Sequence, residues 1–160
     1  MKISGAKCDS CSLGVHLRKA DECMPVLVET HGSDRIAIVG EFPGTHEVSE
    51  GRPFVGPAGR ELQAALDSIG LPRTDFQINN AIACRPPANR LDTFMVKHSR
   101  SNKRRKKEEK ELLLSPAEAC RGRLMIDLEG FDKIICLGSE AARGIRGGNA
   151  SILAMRGACE

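Results

Sequence analysis

The 160-residue sequence has no tryptophan, no tyrosine and only five phenylalanines. A surface that grips single strands by stacking base after base on aromatic rings is therefore not expected. Long apolar runs are missing too. Stretches such as Ile134–Gly138 fall far short of the roughly 20 residues that a membrane-spanning helix needs, which excludes a helical span. The opening MKISGAKCDSC carries no apolar segment of the kind that directs export. Charge of one sign is also lacking: 24 Lys and Arg face 21 Asp and Glu, a formal charge of +3, which by itself is no nucleic-acid signature.

What is present is enough for one folded domain. The chain is 41% hydrophobic and 28% charged, so it can bury a core and is not a disordered polymer. Its seven cysteines are an odd number in a chain large enough to fold without staples, which argues against a disulfide framework. Cys8-Asp-Ser-Cys11 is a C-x-x-C, a usual opening of a metal or iron–sulfur site. The alternative is that most of these cysteines are small buried hydrophobes. Cys136, inside Ile134-Ile135-Cys136-Leu137, reads that way.

The charge is informative by segment. Residues 97–110, KHSRSNKRRKKEEK, hold eight basic and two acidic residues, so a local +6 sits on a body of −3. Such a block repels itself and either stays flexible or binds polyanions; a solvated helical arm is the plain alternative. A basic, flexible insert over about 91–114, making nucleic-acid contact, is expected.

Elsewhere the pattern is α/β. Short apolar runs at 35–40, 76–82 and 132–138 read as buried parallel strands. Between the first two, Leu62, Ala65, Leu66 and Ile69 recur at helical spacing over 59–69, with Gly70 as the stop. Ser115-Pro116-Ala117-Glu118 is a helix start, with Ser at the N-cap, Pro at N1 and Glu at N3, and its helix runs to about Leu128. Another short helix follows Gly138-Ser139. Strands separated by helices imply parallel crossovers, and sites in such sheets lie beyond the carboxyl ends of the strands. Three unusual stretches stand there: GEFPG at 40–44 followed by GRPFVGPAGR at 51–60, then Asn79-Asn80 leading to Cys84-Arg85-Pro86-Pro87-Ala88-Asn89-Arg90, and the Gly138-Ser139 turn. The first is neither a Walker loop nor G-x-G-x-x-G, so nucleotide-cofactor readings lose support.

In this order, the C-x-x-C, GEFPG, GRPFVGPAGREL, NNAIACRPPANR and SPAEACRGRL stretches resemble the family 4 uracil-DNA glycosylases over most of residues 8–146 outside the insert. The resemblance implies a single three-layer α/β/α domain with a small central parallel sheet, acting in base excision repair. It also implies a [4Fe–4S] cluster on Cys8, Cys11, Cys84 and Cys120, with zinc the rival for a four-cysteine set on ligand chemistry alone. Cys23, Cys136 and Cys159 receive no role. Glu41 matches the family's catalytic acid, which would orient the attacking water; helix capping or loop bracing is its other reading. Phe54 matches the residue on which the flipped base stacks, and Gly40 and Phe42 fall in the same substrate-binding group. Asn80 matches the amide that reads uracil's O4 and N3–H, a donor–acceptor pair that suits uracil and mismatches cytosine. Asn79, its neighbour on the strand, should face the other way. Gly56, at a helix N-terminus, and Arg85, Arg90, Lys103, Arg104, Arg105, Lys106 and Lys107 are expected on DNA phosphates.

Two departures qualify this. The family's second motif, a His-Pro-Ser-like loop after a fourth strand, would lie beyond Met155-Arg156-Gly157, so a last strand and catalytic loop are expected to be missing. None of His16, His31, His46 and His98 lies at the matching place. The 35 residues between Cys84 and Cys120 exceed the family's usual spacing. A covalent uracil-DNA-binding branch has a basic, His-containing insert there, but His98 lies out of its register. The expectations are therefore an enzyme that excises uracil, or an impaired iron–sulfur DNA-binding module working with a replication or repair partner, or a covalent binder. Uracil-containing DNA is the expected partner, the cytoplasmic nucleoid the expected location, and a monomer the expected state unless another chain completes the sheet.

Overall fold

The computed structural model describes residues 3–30, 35–104 and 113–147. Three parallel strands form its centre: β1 (Ile36–Gly40), β2 (Phe76–Asn80) and β3 (Lys133–Cys136), in the order β2-β1-β3. Ile38 pairs with Ile78 on one side and Ile135 on the other, so β1 is the axis of the sheet. The helices are α1 (Ser12–Lys19), α2 (Thr45–Glu50), α3 (Pro57–Ser68), α4 (Leu91–Arg104), α5 (Pro116–Asp127) and α6 (Ser139–Arg146). The α/β reading and its three strands hold, each observed strand falling within its expected span.

Alternation along the strands sorts the helices into layers. Ile38, Phe76 and Ile78 face α3 through Leu66, with Leu62 and Phe54 packed beside them. Ala37 and Val39 face the other way, against Leu124 and Leu128 of α5 and Ala141 of α6. That second face uses small residues, and the fit is close: a Cβ on Gly144 of α6 would stand 2.9 Å from the Ala81 Cβ. The start of α5 forms as its sequence dictates, with the Ser115 Oγ accepting from Glu118 N–H and the Glu118 carboxylate accepting from Ser115 N–H.

β2 is held from outside at its middle and just beyond its carboxyl end. Residues 25–29 run antiparallel along its outer edge, with Glu29 exchanging hydrogen bonds with Ile78 and Val26 N–H donating to the Ala83 carbonyl. The outer edge of β3 has no strand partner among the described residues, and Ile134, Ile135 and Leu137 are exposed there. The insert is not wholly irregular. Its first part is α4, anchored by buried Leu91 and Phe94, so the helical alternative applies as far as Arg104. Among the described residues no helix is long and apolar enough to cross a membrane.

Candidate active site and thiol pocket

At the carboxyl end of the sheet, β1 and β2 finish side by side on Gly40 and Asn80. Asn80 is 3% exposed, and its side-chain amide makes no hydrogen bond to any described residue. Its amide atoms are not among the fully buried, unpaired ones, so the amide keeps an opening through which water or a ligand can take its bonds. Phe54 closes over the same point. A Cβ on Gly40 would lie 2.5 Å from the Phe54 ring and 2.6 Å from Asn80 Oδ1, so only glycine leaves the two groups room to meet. The structure thus brings Gly40, Phe54 and Asn80 together.

The Phe54 loop is held by charge. Phe54 itself takes a left-handed backbone (φ 52°), a conformation that a non-glycine residue keeps only when its surroundings impose it. Arg73 donates to the Pro53 and Phe54 carbonyls at 2.8 and 3.1 Å. Buried Glu29 in turn anchors Arg73 and Arg52. On the other side, Glu47 Oε1 accepts from Val55 N–H (3.0 Å) and Gly56 N–H (2.7 Å), and Oε2 accepts from Gly44 N–H (2.9 Å). Burial alone would raise the Glu47 carboxyl, but the N–H groups of Gly56, Gly44 and Val55 outweigh it and hold the group below its ordinary value. Gly59 must stay bare here, because a Cβ on it would lie 2.0 Å from the Phe54 carbonyl oxygen.

Glu41 stands apart from this group. Its Oε1 accepts from Ser139 Oγ and Glu140 N–H, both at 3.1 Å, at the start of α6. The bracing contact is therefore present. Its Oε2 makes no hydrogen bond among the described residues. Glu41 and Phe42 border an open cleft of about 750 Å³ between α4, α5 and α6, whose lining includes neither Phe54 nor Asn80. Phe42 packs against the core cluster that contains Cys11, Cys84 and Cys120.

The DNA-facing assignments divide. Gly56 N–H is already taken by Glu47, so it is not free to face a phosphate. Arg85 donates to Thr45 Oγ1, and exposed Arg90 pairs with Asp92. Lys103 and Arg104 end α4. Arg105, Lys106, Lys107, His31, Cys159 and the Met155–Gly157 stretch lie outside the described residues.

Three cysteines gather where the chain past the end of β2 meets α1, α4 and α5. Cys11, Cys84 and Cys120 are buried in one core cluster, with Cys23 packed against it. Cys8 sits in a 3-10 turn that the Lys7 N–H to Ala119 carbonyl bond ties to α5. Burial pushes the Cys11, Cys84 and Cys120 thiols up. Neighbouring thiols add to this: Cys120 and Cys8 act on Cys11, Cys23 and Cys120 on Cys84, and Cys8 and Cys23 on Cys120. No three His, Cys, Asp or Glu groups among the described residues already stand at single-metal spacing. Even so, Cys11, Cys84 and Cys120 lie in one buried cluster and Cys8 is a neighbour of Cys11 and Cys120, and four soft sulfurs in apolar surroundings are the donor set that a soft metal centre takes.

Several residues of this site went unmarked in the sequence. Cys23 is a fifth thiol packed against this cluster, and the Pro25–Cys84 bridge brings it there. Glu47 had a visible signal, as an acid at N3 of a helix begun by glycine. Arg123 and Asp127, an i,i+4 pair on α5, hydrogen-bond to Asn79 of β2.

Comparison with known proteins adds a family. The model of the uracil DNA glycosylase superfamily matches residues 29–156. Among curated proteins, the chain is similar to the type-4 uracil-DNA glycosylase of Thermotoga maritima, 44% identical over 87 residues, which are 54% of this chain and 43% of that one. It is also 43% identical over 83 residues to that of Pyrobaculum aerophilum, covering 52% of this chain and 40% of the relative. With that of Archaeoglobus fulgidus it shares 53% over 58 residues, 36% of this chain and 29% of the relative. Each match spans less than half of the relative's length.

Proposed function

The chain belongs to the uracil DNA glycosylase superfamily, and from that premise we propose that it removes uracil from DNA by hydrolysis of the N-glycosidic bond. The observation that carries this reading is the Asn80 amide, without a hydrogen bond among the described residues, meeting the Phe54 ring over Gly40. A uracil turned out of the helix would stack on Phe54. Asn80 Nδ2 would donate to its O4 and Oδ1 would accept from its N3–H, whereas cytosine would set a donor against a donor and an acceptor against an acceptor. Glu41, with Oε1 fixed on α6, offers Oε2 to orient a water toward C1′ and to balance the positive charge that develops on the sugar. The water oxygen bonds to C1′ as its proton passes to Glu41 Oε2, the C1′–N1 bond breaks, and uracil leaves as an anion with the bonding pair.

Cys8, Cys11, Cys84 and Cys120 are the residues that would hold a [4Fe–4S] cluster, with zinc the competing occupant. When bound, the cluster supplies a staple between the N-terminal segment and α5. The basic arm from Lys97 onward would hold the phosphate backbone without reading sequence, and the protein would act at the nucleoid. The test is an abasic-site cleavage assay on uracil-containing oligonucleotide, with Glu41→Ala and Asn80→Ala beside the parent. Product from the parent and loss in both variants is expected. No product from pure, metal-loaded parent protein would overturn the assignment.

A further inference from the structure

The strap along β2 leaves a gap. Its hydrogen bonds reach Ile78 and Ala83, and none reaches Asn80. The main-chain groups of Asn80 end instead on side chains. Its N–H donates to Asn79 Oδ1 at 2.8 Å, and its carbonyl accepts from Arg123 Nη2 at 2.5 Å. The same Nη2 reaches the Ala81 carbonyl at 3.2 Å. Arg123 Nη1 donates to Asn79 Oδ1 at 2.9 Å and to Asp127 Oδ2 at 2.8 Å, and Asn79 Nδ2 closes the ring on that Asp127 oxygen at 3.0 Å. Arg123 is 2% exposed and Asn79 fully buried.

We propose that Arg123 is a positioning residue for base recognition: with Asn79 and Asp127 it fixes the main chain of Asn80 on both sides, so that the Asn80 amide stands oriented before uracil arrives. This rests on the reading of Asn80 as the uracil-contacting residue. Three observations favour it over a merely stabilising ion pair. The guanidinium spends both terminal nitrogens at the end of β2, while its Nε is buried without a partner; an arginine placed only for stability would be expected to satisfy all its donors. The fork is planar, so four fixed acceptors leave it one orientation. And Asn79, facing α5, accepts from Arg123 and from Asn80 N–H at the same oxygen, which links the brace on one face of the strand to the reader on the other.

The test uses the full, metal-loaded chain and two oligonucleotides, one carrying 2′-fluoro-2′-deoxyuridine, which resists cleavage, and one carrying 2′-fluoro-2′-deoxycytidine in its place. The ratio of affinities is the uracil preference, because cytosine inverts the donor and acceptor that the Asn80 amide faces, and binding to the cytidine strand reports the general grip. Asn80→Ala is expected to abolish the preference. Arg123→Met should lower it about tenfold with the cytidine affinity unchanged, the loss expected when one hydrogen bond is misaligned. Arg123→Lys should recover part of it, since one ammonium can serve one of the two carbonyls. The Asn80→Ala/Arg123→Met double variant should be no worse than Asn80→Ala, because Arg123 acts through Asn80. Should Arg123→Met not fold, Asp127→Asn, which removes the anchoring charge, should lower the ratio in the same direction. A folded Arg123 or Asp127 variant with full preference overturns the positioning role, as does a double variant worse than the single. A preference that survives Asn80→Ala, or is absent in the parent, overturns the reading of Asn80 and the proposal with it.

Discussion

Replacing Glu47 by glutamine asks one oxygen of a carboxylate to become an amide nitrogen. In the native protein both oxygens are fully committed, Oε1 to the N–H groups of Val55 and Gly56 and Oε2 to that of Gly44. Glutamine keeps the two bonds on one side at neutral strength and sets a donor against the Gly44 N–H on the other. Hydrogen bonds to a charged group contribute about 1.5–3 kcal/mol, so the exchange should cost about 2 kcal/mol, and Glu47→Ala, which strands all three donors at a buried site, about 3–5 kcal/mol. The loss is pH-dependent. The folded-state pKa lies below the ordinary 4.5, so the carboxylate's contribution is complete above that value and fades as the pH falls through the folded-state pKa. Urea unfolding of parent and Glu47→Gln, read as the shift in midpoint at constant slope, should therefore show a gap that is widest near neutral pH and closes in acid. Because the comparison is between two proteins, acid losses that they share cancel. A gap below about 0.5 kcal/mol at neutral pH, which is the ordinary scatter of surface substitutions, or one that persists unchanged in acid, would show that the carboxylate is not what clasps the Phe54 loop.

Gly40→Ala would push a methyl into the Phe54 ring and Asn80 Oδ1; overpacking of about 1–3 kcal/mol concentrated at the reading site should cut uracil excision about tenfold or more with the circular dichroism unchanged, and full activity would contradict the site's location. Cys84→Ser and Cys120→Ser should lose the visible absorbance and acid-labile sulfide of the purified protein while Cys136→Ser keeps both; absorbance and sulfide retained in the first two would remove them as ligands. Deleting 97–110 should make DNA binding markedly less salt-dependent, by about 0.9 in the log–log slope for each duplex phosphate that the arm neutralises, whereas an unchanged slope would place the grip elsewhere.

The elements that could be read from the sequence are those whose signal is local. β1, β2 and β3 are short apolar runs, α5 announces itself by Ser115, Pro116 and Glu118, and α3 by its repeat of Leu62, Ala65 and Leu66. Asn79 and Asn80 face opposite ways, as a strand's pleat requires. What escaped was set by contacts distant in sequence. The hydrogen bonds of Arg73 to Pro53 and Phe54, the convergence of Cys23 on Cys84, and the span from Arg123 on α5 to the end of β2 join residues about 20 to 60 positions apart, which no periodicity encodes. Glu41 shows a different limit. Its two readings differ only by what lies within hydrogen-bond reach, and that is Ser139 and the start of α6.

The thiol pocket and the reading amide are close neighbours along the chain in two separate places. Cys84 follows Asn80 by four residues, and Cys120 precedes Arg123 by three on α5. The two segments that carry these thiols are thus the same two that meet where Arg123 holds the Asn80 and Ala81 carbonyls. A shift of Cys120 turns the helix that presents the guanidinium, and a shift of Cys84 draws on the carbonyls it holds. On the proposed function, the four thiols lie one turn of helix and one bend of loop from the groups that hold Asn80, so losing a metal bound to them would reach the choice of base before it reached the overall fold.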